Sequence, residues 1–292
     1  MKTFFWFLLA ACALAITGCV AAPQQAAATA TPSDPVSSPS SPGSSQPSDP
    51  GSSQSPSGAP ANATTLANIQ ASSGWESWGQ LAPLYADCDA PCAGVNWTMT
   101  QGISSPSMSG NAAEFQIAGT TPYADVLWTN PVIGQFSTQA LPDKDHTLLP
   151  TIHNFIYDLD FYVTDASVTQ VLEFDVNMFM DSVAMTWAHQ CNHLGDGDWD
   201  INVNLGWKST GVPCNLTNGW NHVTIQVQRE DDNSLLFQSI TLNGTTANIN
   251  KTLQPYTEPA SWYGVTVNYQ MDGNFDEASN TTYVDNMSLT YW

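Results

Sequence analysis

The residues of this chain best suited to chemistry are carboxylates and amides at two-residue spacing, and Glu173-Phe174-Asp175 comes first. In an extended strand both carboxylates point to one side, with Cα atoms ~6.7 Å apart. Two like charges at that distance push one pKa above the other, and such a pair can divide into proton donor and nucleophile or base. The same groups can instead accept hydrogen bonds from hydroxyls, with Asn177 continuing the row. Trp187 and His189 share one side of a later run, and His193 and His222 are further imidazoles able to exchange protons near neutrality. Asn202, Asn204 and Gln226 add amides at the same alternate spacing.

Asp196-Gly197-Asp198-Trp199-Asp200 sets alternate carboxylates in a tight turn, which suits Ca²⁺, a hard cation taking about six to eight oxygens. It is no EF-hand, because Ile201 and Trp207 occupy the sixth and twelfth positions. Asp272, Asn274 and Asp276 repeat the chemistry in a second loop. A polar turn capped by Asp and Asn accounts for either run equally well.

The elements that must carry these residues read as strands. Phe155, Tyr157, Leu159, Phe161 and Val163 alternate with polar neighbours, as do Leu172, Phe174, Val176 and Met178, then Trp199 to Trp207, then Val223, Ile225 and Val227. Further strands are expected at 113–118, 183–189, 235–242, 262–270 and 283–291, and Asn243-Gly244 is a tight-turn signal. No long segment has a 3.6-residue period. The expectation is an all-β, single-domain antiparallel sandwich over 65–292, one face of each sheet buried.

Five Lys and Arg oppose 26 Asp and Glu, a formal net charge of −21. Nucleic acid and anionic surfaces need basic patches and are excluded as partners. Arg229 is the sole arginine, so uronic-acid polymers would meet repulsion without a neutralising cluster, which leaves neutral glycans as the favoured polysaccharides. The polar strand faces (carboxylate, amide, hydroxyl) beside abundant Trp and Tyr match what sugars require: hydrogen bonds for hydroxyls and rings for C–H faces. Nothing in the pattern asks for a second copy, and a monomer is expected.

Lys2 precedes an apolar run, Phe4 to Ile16, too short to span a bilayer. Ile16-Thr17-Gly18-Cys19 resembles the bacterial lipobox, which implies a signal peptide over 1–18, lipidation of Cys19 and anchoring by acyl chains alone. Val20 departs from the Asp that retains lipoproteins at the inner membrane, which in a Gram-negative envelope points to the outer membrane or cell surface. Residues 19–64, rich in Ser, Pro and Ala without aromatics, read as a flexible tether of roughly 35–40 Å average reach. Four cysteines remain, and the local pairing is Cys88 with Cys92 and Cys191 with Cys214, as suits an oxidising compartment.

Gly219-Trp220-Asn221-His222-Val223-Thr224-Ile225, then Leu235 to Thr245, resembles the strand-turn-strand of concanavalin A-like lectin/glucanase domains. Tyr283-Val284-Asp285-Asn286-Met287-Ser288-Leu289 is similar to the closing strand of such jelly rolls. The resemblance implies glycan recognition, either by a binding module or by a glycoside hydrolase, with a polysaccharide lyase or a structural envelope protein behind them. It makes Asp285 a third candidate calcium ligand. Glu173 and Asp175 resemble the start of the Glu-x-Asp-x-Glu or Glu-x-Asp-x-x-Glu glucanase signature, yet Asn177 and Met178 stand where the acid/base carboxyl should be. For the lipobox reading, replacing Cys19 by Ala is expected to abolish acylation, read as loss of the lipid mass from the mature N-terminus and release from the membrane fraction.

Overall fold

The computed structural model describes residues 58–80, 87–88, 94–138, 141–180, 182–204, 206–257, 262–276 and 278–292. In chain order the first strands are β1 (Thr64–Leu66), β2 (Glu76–Gln80), β3 (Asp87–Cys88), β4 (Val95–Ile103), β5 (Ala112–Gly119) and β6 (Asp125–Gly134). Next come β7 (Asn154–Val163), β8 (Val171–Met180), β9 (Val183–Cys191), β10 (Asp198–Asn202) and β11 (Trp207–Pro213). The last are β12 (Gly219–Arg229), β13 (Leu235–Leu242), β14 (Thr245–Leu253), β15 (Tyr256–Thr257), β16 (Gly264–Asp272) and β17 (Asn280–Tyr291). Among the described residues they form two antiparallel sheets. Sheet 1 has the order β14-β13-β12-β7-β17-β5-β4, with β1 beside β17, and sheet 2 has the order β11-β10-β9-β8-β16-β6-β2-β3, with β15 beside β9.

The alternating apolar runs become the sandwich core. Phe155, Tyr157, Leu159, Phe161 and Val163 on β7 face Leu172, Phe174, Val176 and Met178 on β8, all buried. Phe161 packs on Phe174 at 5.3 Å between ring centroids, and Phe155 on Trp187 at 5.7 Å. Each such side chain contributes roughly 1.5–3 kcal/mol of burial, the main source of cohesion between the sheets. No helix among the described residues is long and apolar enough to cross a membrane.

Asn243-Gly244 makes the expected turn between β13 and β14, with φ of 50° and 80°. The run expected to continue from Trp199 to Trp207 breaks instead. β10 ends at Asn202, the Val203–Gly206 hairpin follows, and Asn204 sits in the turn at φ 52°. Several strands fall outside the expected set. β4 and β14 are edge strands of sheet 1, largely exposed; β4 does alternate, with Val95, Trp97 and Met99 between Asn96, Thr98 and Thr100, while β14 is mostly polar. β6 is buried along its whole length and contains Pro131. The proline falls at a bulge opposite β16 and beyond the reach of β2, which pairs only with Asp125–Thr129, so its missing N–H breaks no ladder bond on that side.

Cys191 and Cys214 form a disulfide with Cα atoms 5.5 Å apart, joining the end of β9 to the segment that enters β12 in the other sheet. Cys92 and the side chain of Cys88 lie outside the described residues, as do Cys12 and Cys19. Replacing Cys191 and Cys214 together by Ser is expected to lower unfolding stability by about 2–4 kcal/mol, given the 23-residue separation they close, and this is read from the denaturant midpoint at unchanged m-value.

Candidate functional site

β8 lies in the interior of sheet 2 between β9 and β16, and its two sides diverge completely. Phe174 and its even-numbered companions enter the core, so Glu173, Asp175 and Asn177 project from the outward face. Register then assembles a polar surface around them. Glu173 stands between Gln190 and Gln270, Asp175 between Ala188 and Asn268, and Asn177 between Thr186 and Thr266. Thr129 of β6 lies beside Asn268, Asp125 beside Asp272, and Asp200 of β10 beside Gln190.

These groups are knitted together across strands. Thr129 Oγ1 donates to Asn268 Oδ1 at 2.7 Å, and the Asn268 amide donates to Asp175 Oδ2 at 3.4 Å. The Glu173 side chain hydrogen-bonds to Asp175 as well. Gln190 donates to Asp200 at 2.7 Å and Gln270 to Asp272 at 3.1 Å. Tyr256 donates its hydroxyl to Asn202 at 3.0 Å. Asn177 Oδ1 and Asp200 Oδ1 are buried and accept no hydrogen bond, while Asp175 accepts from the His189 N–H as well as from Glu173 and Asn268. A buried acceptor left unmatched costs about 1–3 kcal/mol, so this face stores a demand for donors.

Burial raises the Asp175 pKa to about 7 against the lowering pull of Glu173 and Asn268, and the nearby Asp272 charge raises it further. Burial also pushes Asp272 up, with Gln270 pulling it back. Asp200 is raised by desolvation and by the charges of Asp196 and Asp198. Burial therefore holds Asp175, Asp272 and Asp200 closer to protonation than exposed carboxylates.

Solvent exposure grows toward the end of the face where β6 begins and β16 ends. Beyond Asp125 and Asp272, Tyr123 is 44% exposed and Phe275 67% exposed, and their rings pair at 6.0 Å. Tyr123 N–H donates to the Asn274 carbonyl at 3.2 Å and Gly273 N–H to that of Ala124 at 2.8 Å, tying the two loops together. Tyr123 is held at φ 57°, a conformation that bulky side chains rarely adopt. At the opposite end the Phe179 ring lies tilted against Trp262 at 4.0 Å, and Trp262 contacts Phe136 at 6.1 Å. Sequence reasoning passed over Tyr123 and Phe275. The Asp272–Asp276 loop was visible in the sequence, but its carboxylates drew attention to a cation and away from the ring between them.

The remaining sequence-derived candidates separate. Glu173, Asp175, Asn177 and Asn202 do share the outward face of sheet 2. Trp187 and His189 do not: they lie on the inner side of β9, fully buried, where no ligand on the outer face can touch them. Burial holds the His189 pKa down to about 3, so the ring is a neutral core residue. Asn204 serves the β10–β11 turn. His222 and Gln226 belong to β12, on the outward side of the other sheet. Both His222 nitrogens are engaged, Nδ1 with Asp160 at 2.8 Å and Nε2 with Asp158 at 3.2 Å, and these bonds raise its pKa to about 10. An imidazolium so held has no lone pair to act as a base at neutral pH.

The candidate calcium ligands do not gather. Asp198 accepts from Ser209 and Asp200 from Gln190 and Asn192, while Asn274 caps the Ala278 N–H. Asp196 and Asp276 are exposed turn residues. Asp285 accepts from Gln70, both Ser107 and Ser109 hydroxyls, and the N–H groups of Met108, Ser109 and Asn286, so neither oxygen is left for a metal. Burial pushes its pKa up, yet these donors outweigh that and hold it low. Among the described residues no three His, Cys, Asp or Glu side chains converge.

No protein-family model matches the chain, and no curated protein matches it in sequence. Solved structures do resemble it. A carbohydrate esterase of the Shiga toxin-encoding bacteriophage phi24B matches at TM-score 0.41 and 11% identity over 78% of this chain and 98% of that one. A cellulose induced protein matches at 0.38 and 12% over 74% and 90%. A lectin from Ulex europaeus, in complex with the methyl glycoside of α-L-fucose, matches at 0.37 and 15% over 75% and 98%.

The raised Asp175 pKa fixes the sign of a pH effect. Its folded value lies above its unfolded one, so the group stabilises the fold at low pH and loses that contribution as pH rises from about 4 through about 7. Replacing Asp175 by Asn is expected to remove on the order of 1 kcal/mol per pH unit of downward slope in that window. Chemical denaturation of both proteins between pH 4 and 8 reads the difference.

Proposed function

We propose that the protein binds neutral carbohydrate on the outward face of sheet 2, as an exported lipoprotein tethered to the cell envelope through Cys19. The observation that carries the reading is the exposed Tyr123–Phe275 pair, held in the β5–β6 and β16–β17 loops next to Asp125 and Asp272, where the polar row of that face ends. Sugar hydroxyls exchange hydrogen bonds with carboxylates and amides, and the C–H face of a pyranose stacks on such rings. The net charge of −21 disfavours anionic polymers. The Cys191–Cys214 disulfide fits an oxidising compartment.

A second reading, glycoside hydrolysis, draws on Asp200. It lies in the same cross-strand row as Glu173, two strands away and so roughly 9–10 Å between Cα atoms, and its raised pKa suits a proton donor. Against it, Glu173 and Asp175 hydrogen-bond to each other, and an amide, Asn177, occupies the next position of the row.

Two readouts on the full chain carrying Cys19→Ala separate these. Titration calorimetry with neutral oligosaccharides should give binding that Tyr123→Ala with Phe275→Ala weakens about tenfold or more, at the level of two lost ring contacts. Mass spectrometry of the same mixtures should find the sugars intact. New, shorter products that vanish in Glu173→Gln and Asp200→Asn would make the protein a hydrolase, and no heat and no products would end the carbohydrate reading.

A further inference from the structure

The outward face of sheet 1, opposite to the proposed site, gathers aromatic rings and carboxylates. Trp220 of β12 is in register with Tyr162 of β7, and Tyr162 with Tyr283 of β17. The three rings cross steeply. Trp220 meets Tyr162 at 5.4 Å and 77°, and Tyr162 meets Tyr283 at 6.1 Å and 76°. Each crossing encloses a corner bounded by two ring systems, and all three side chains remain partly exposed. Such corners suit a compact, rounded group and leave no platform on which a pyranose could stack.

The charge around the rings is negative. Glu114, on the next strand, accepts from the Tyr283 hydroxyl. His222 and Asp160 stand two residues along from Trp220 and Tyr162, ~6.7 Å away at ordinary strand rise, with Asp158 beyond them. Three carboxylates thus oppose one imidazolium. Behind them lies a net charge of −21, which raises the local concentration of any cation. The rings add to this attraction, because the negative face of each π-system draws a positive charge placed over it.

Hydrogen bonding decides which cation. Asp160 already accepts from His222 and Asn286, Asp158 from His222 and Thr224, and Glu114 from Tyr283. A Lys or Arg head would bring several N–H donors to acceptors already in use, and each donor left unmatched on contact costs free energy. A quaternary ammonium has no N–H to satisfy. It asks only for ring faces and a negative field, and both are here. A zwitterion bearing phosphate or carboxylate would meet repulsion from the same field.

We infer that the Trp220–Tyr162–Tyr283 row is a binding site for organic cations of the trimethylammonium class that carry no anionic group. The site shares neither residues nor ligand chemistry with the proposed carbohydrate surface, so either can fail without the other.

The test is an NMR titration of the full chain carrying Cys19→Ala, followed at the Trp220 indole N–H. Choline is the probe, its uncharged isostere dimethylbutanol controls for shape, and potassium ion controls for charge. Choline is expected to shift the signal saturably and to bind about tenfold more tightly than the alcohol, the level of a cation–π contact, while potassium leaves the signal still. Tyr162→Leu should weaken choline binding about tenfold, and Tyr162→Phe, which keeps the ring, should preserve it. Should the leucine variant not fold, the comparison of choline with the alcohol and potassium on the parent chain carries the test. Equal affinity for the alcohol, a matching response to potassium, full choline affinity in a folded Tyr162→Leu protein, or no saturable shift overturns the inference.

Discussion

The structure turns on the double burial of β8 and β16. Their inner sides supply Phe174, Val176, Tyr269 and Val267 to the core, so their outer sides have no freedom to turn away. Whatever the sequence puts at alternate positions is pinned to the outward face, and there it puts Glu173, Asp175, Asn177, Thr266, Asn268 and Gln270, all buried. Carboxylates in such a place must be matched by donors or protonated. The cross-strand relay from Thr129 through Asn268 to Asp175, and the raised pKa of Asp175, are the two responses visible at once.

The rest of the molecule keeps that face in position. The Cys191–Cys214 bridge ties the end of β9 to the segment between β11 and β12, at the end where the polar row finishes. Asp285 performs a related task on sheet 1. Its carboxylate gathers the 107–109 loop, Gln70 and the bulge of β17, and so fixes the closing strand against the chain's first turns. A residue that resembles a metal ligand in sequence is here a hydrogen-bond hub, since six donors saturate it more fully than a cation site would allow.

Much of the fold was legible because amphipathic strands announce themselves. β7, β8 and β12 appear at the expected positions with the expected inward residues, and β13 falls at the expected 235–242. The period of two says which residues share a side of one strand, but not which strands share a sheet. His222 and Gln226 therefore looked like companions of Glu173, although β12 lies in the other sheet. On β9 the error was of side: with Ala184 and Ala188 outward and Met185 and Trp187 inward, both faces are buried, and polarity no longer marks the outer one. The edge strand β14 is too polar and the wholly buried β6 too apolar to alternate, whereas β4 alternates at Val95, Trp97 and Met99 and was missed. Tyr123 and Phe275 could not be found by periodicity, because they belong to loops that only strand register brings together.

The central claim is that the outward face of sheet 2 receives neutral sugar hydroxyls. Side-chain amide NMR of the full chain carrying Cys19→Ala, titrated with neutral oligosaccharides, addresses it most directly. The account predicts saturable shifts of the Asn177, Asn268 and Gln270 amides, together with the Tyr123 and Phe275 ring signals. If a sugar binds while those signals stay still, the face is structural and the ligand lies elsewhere.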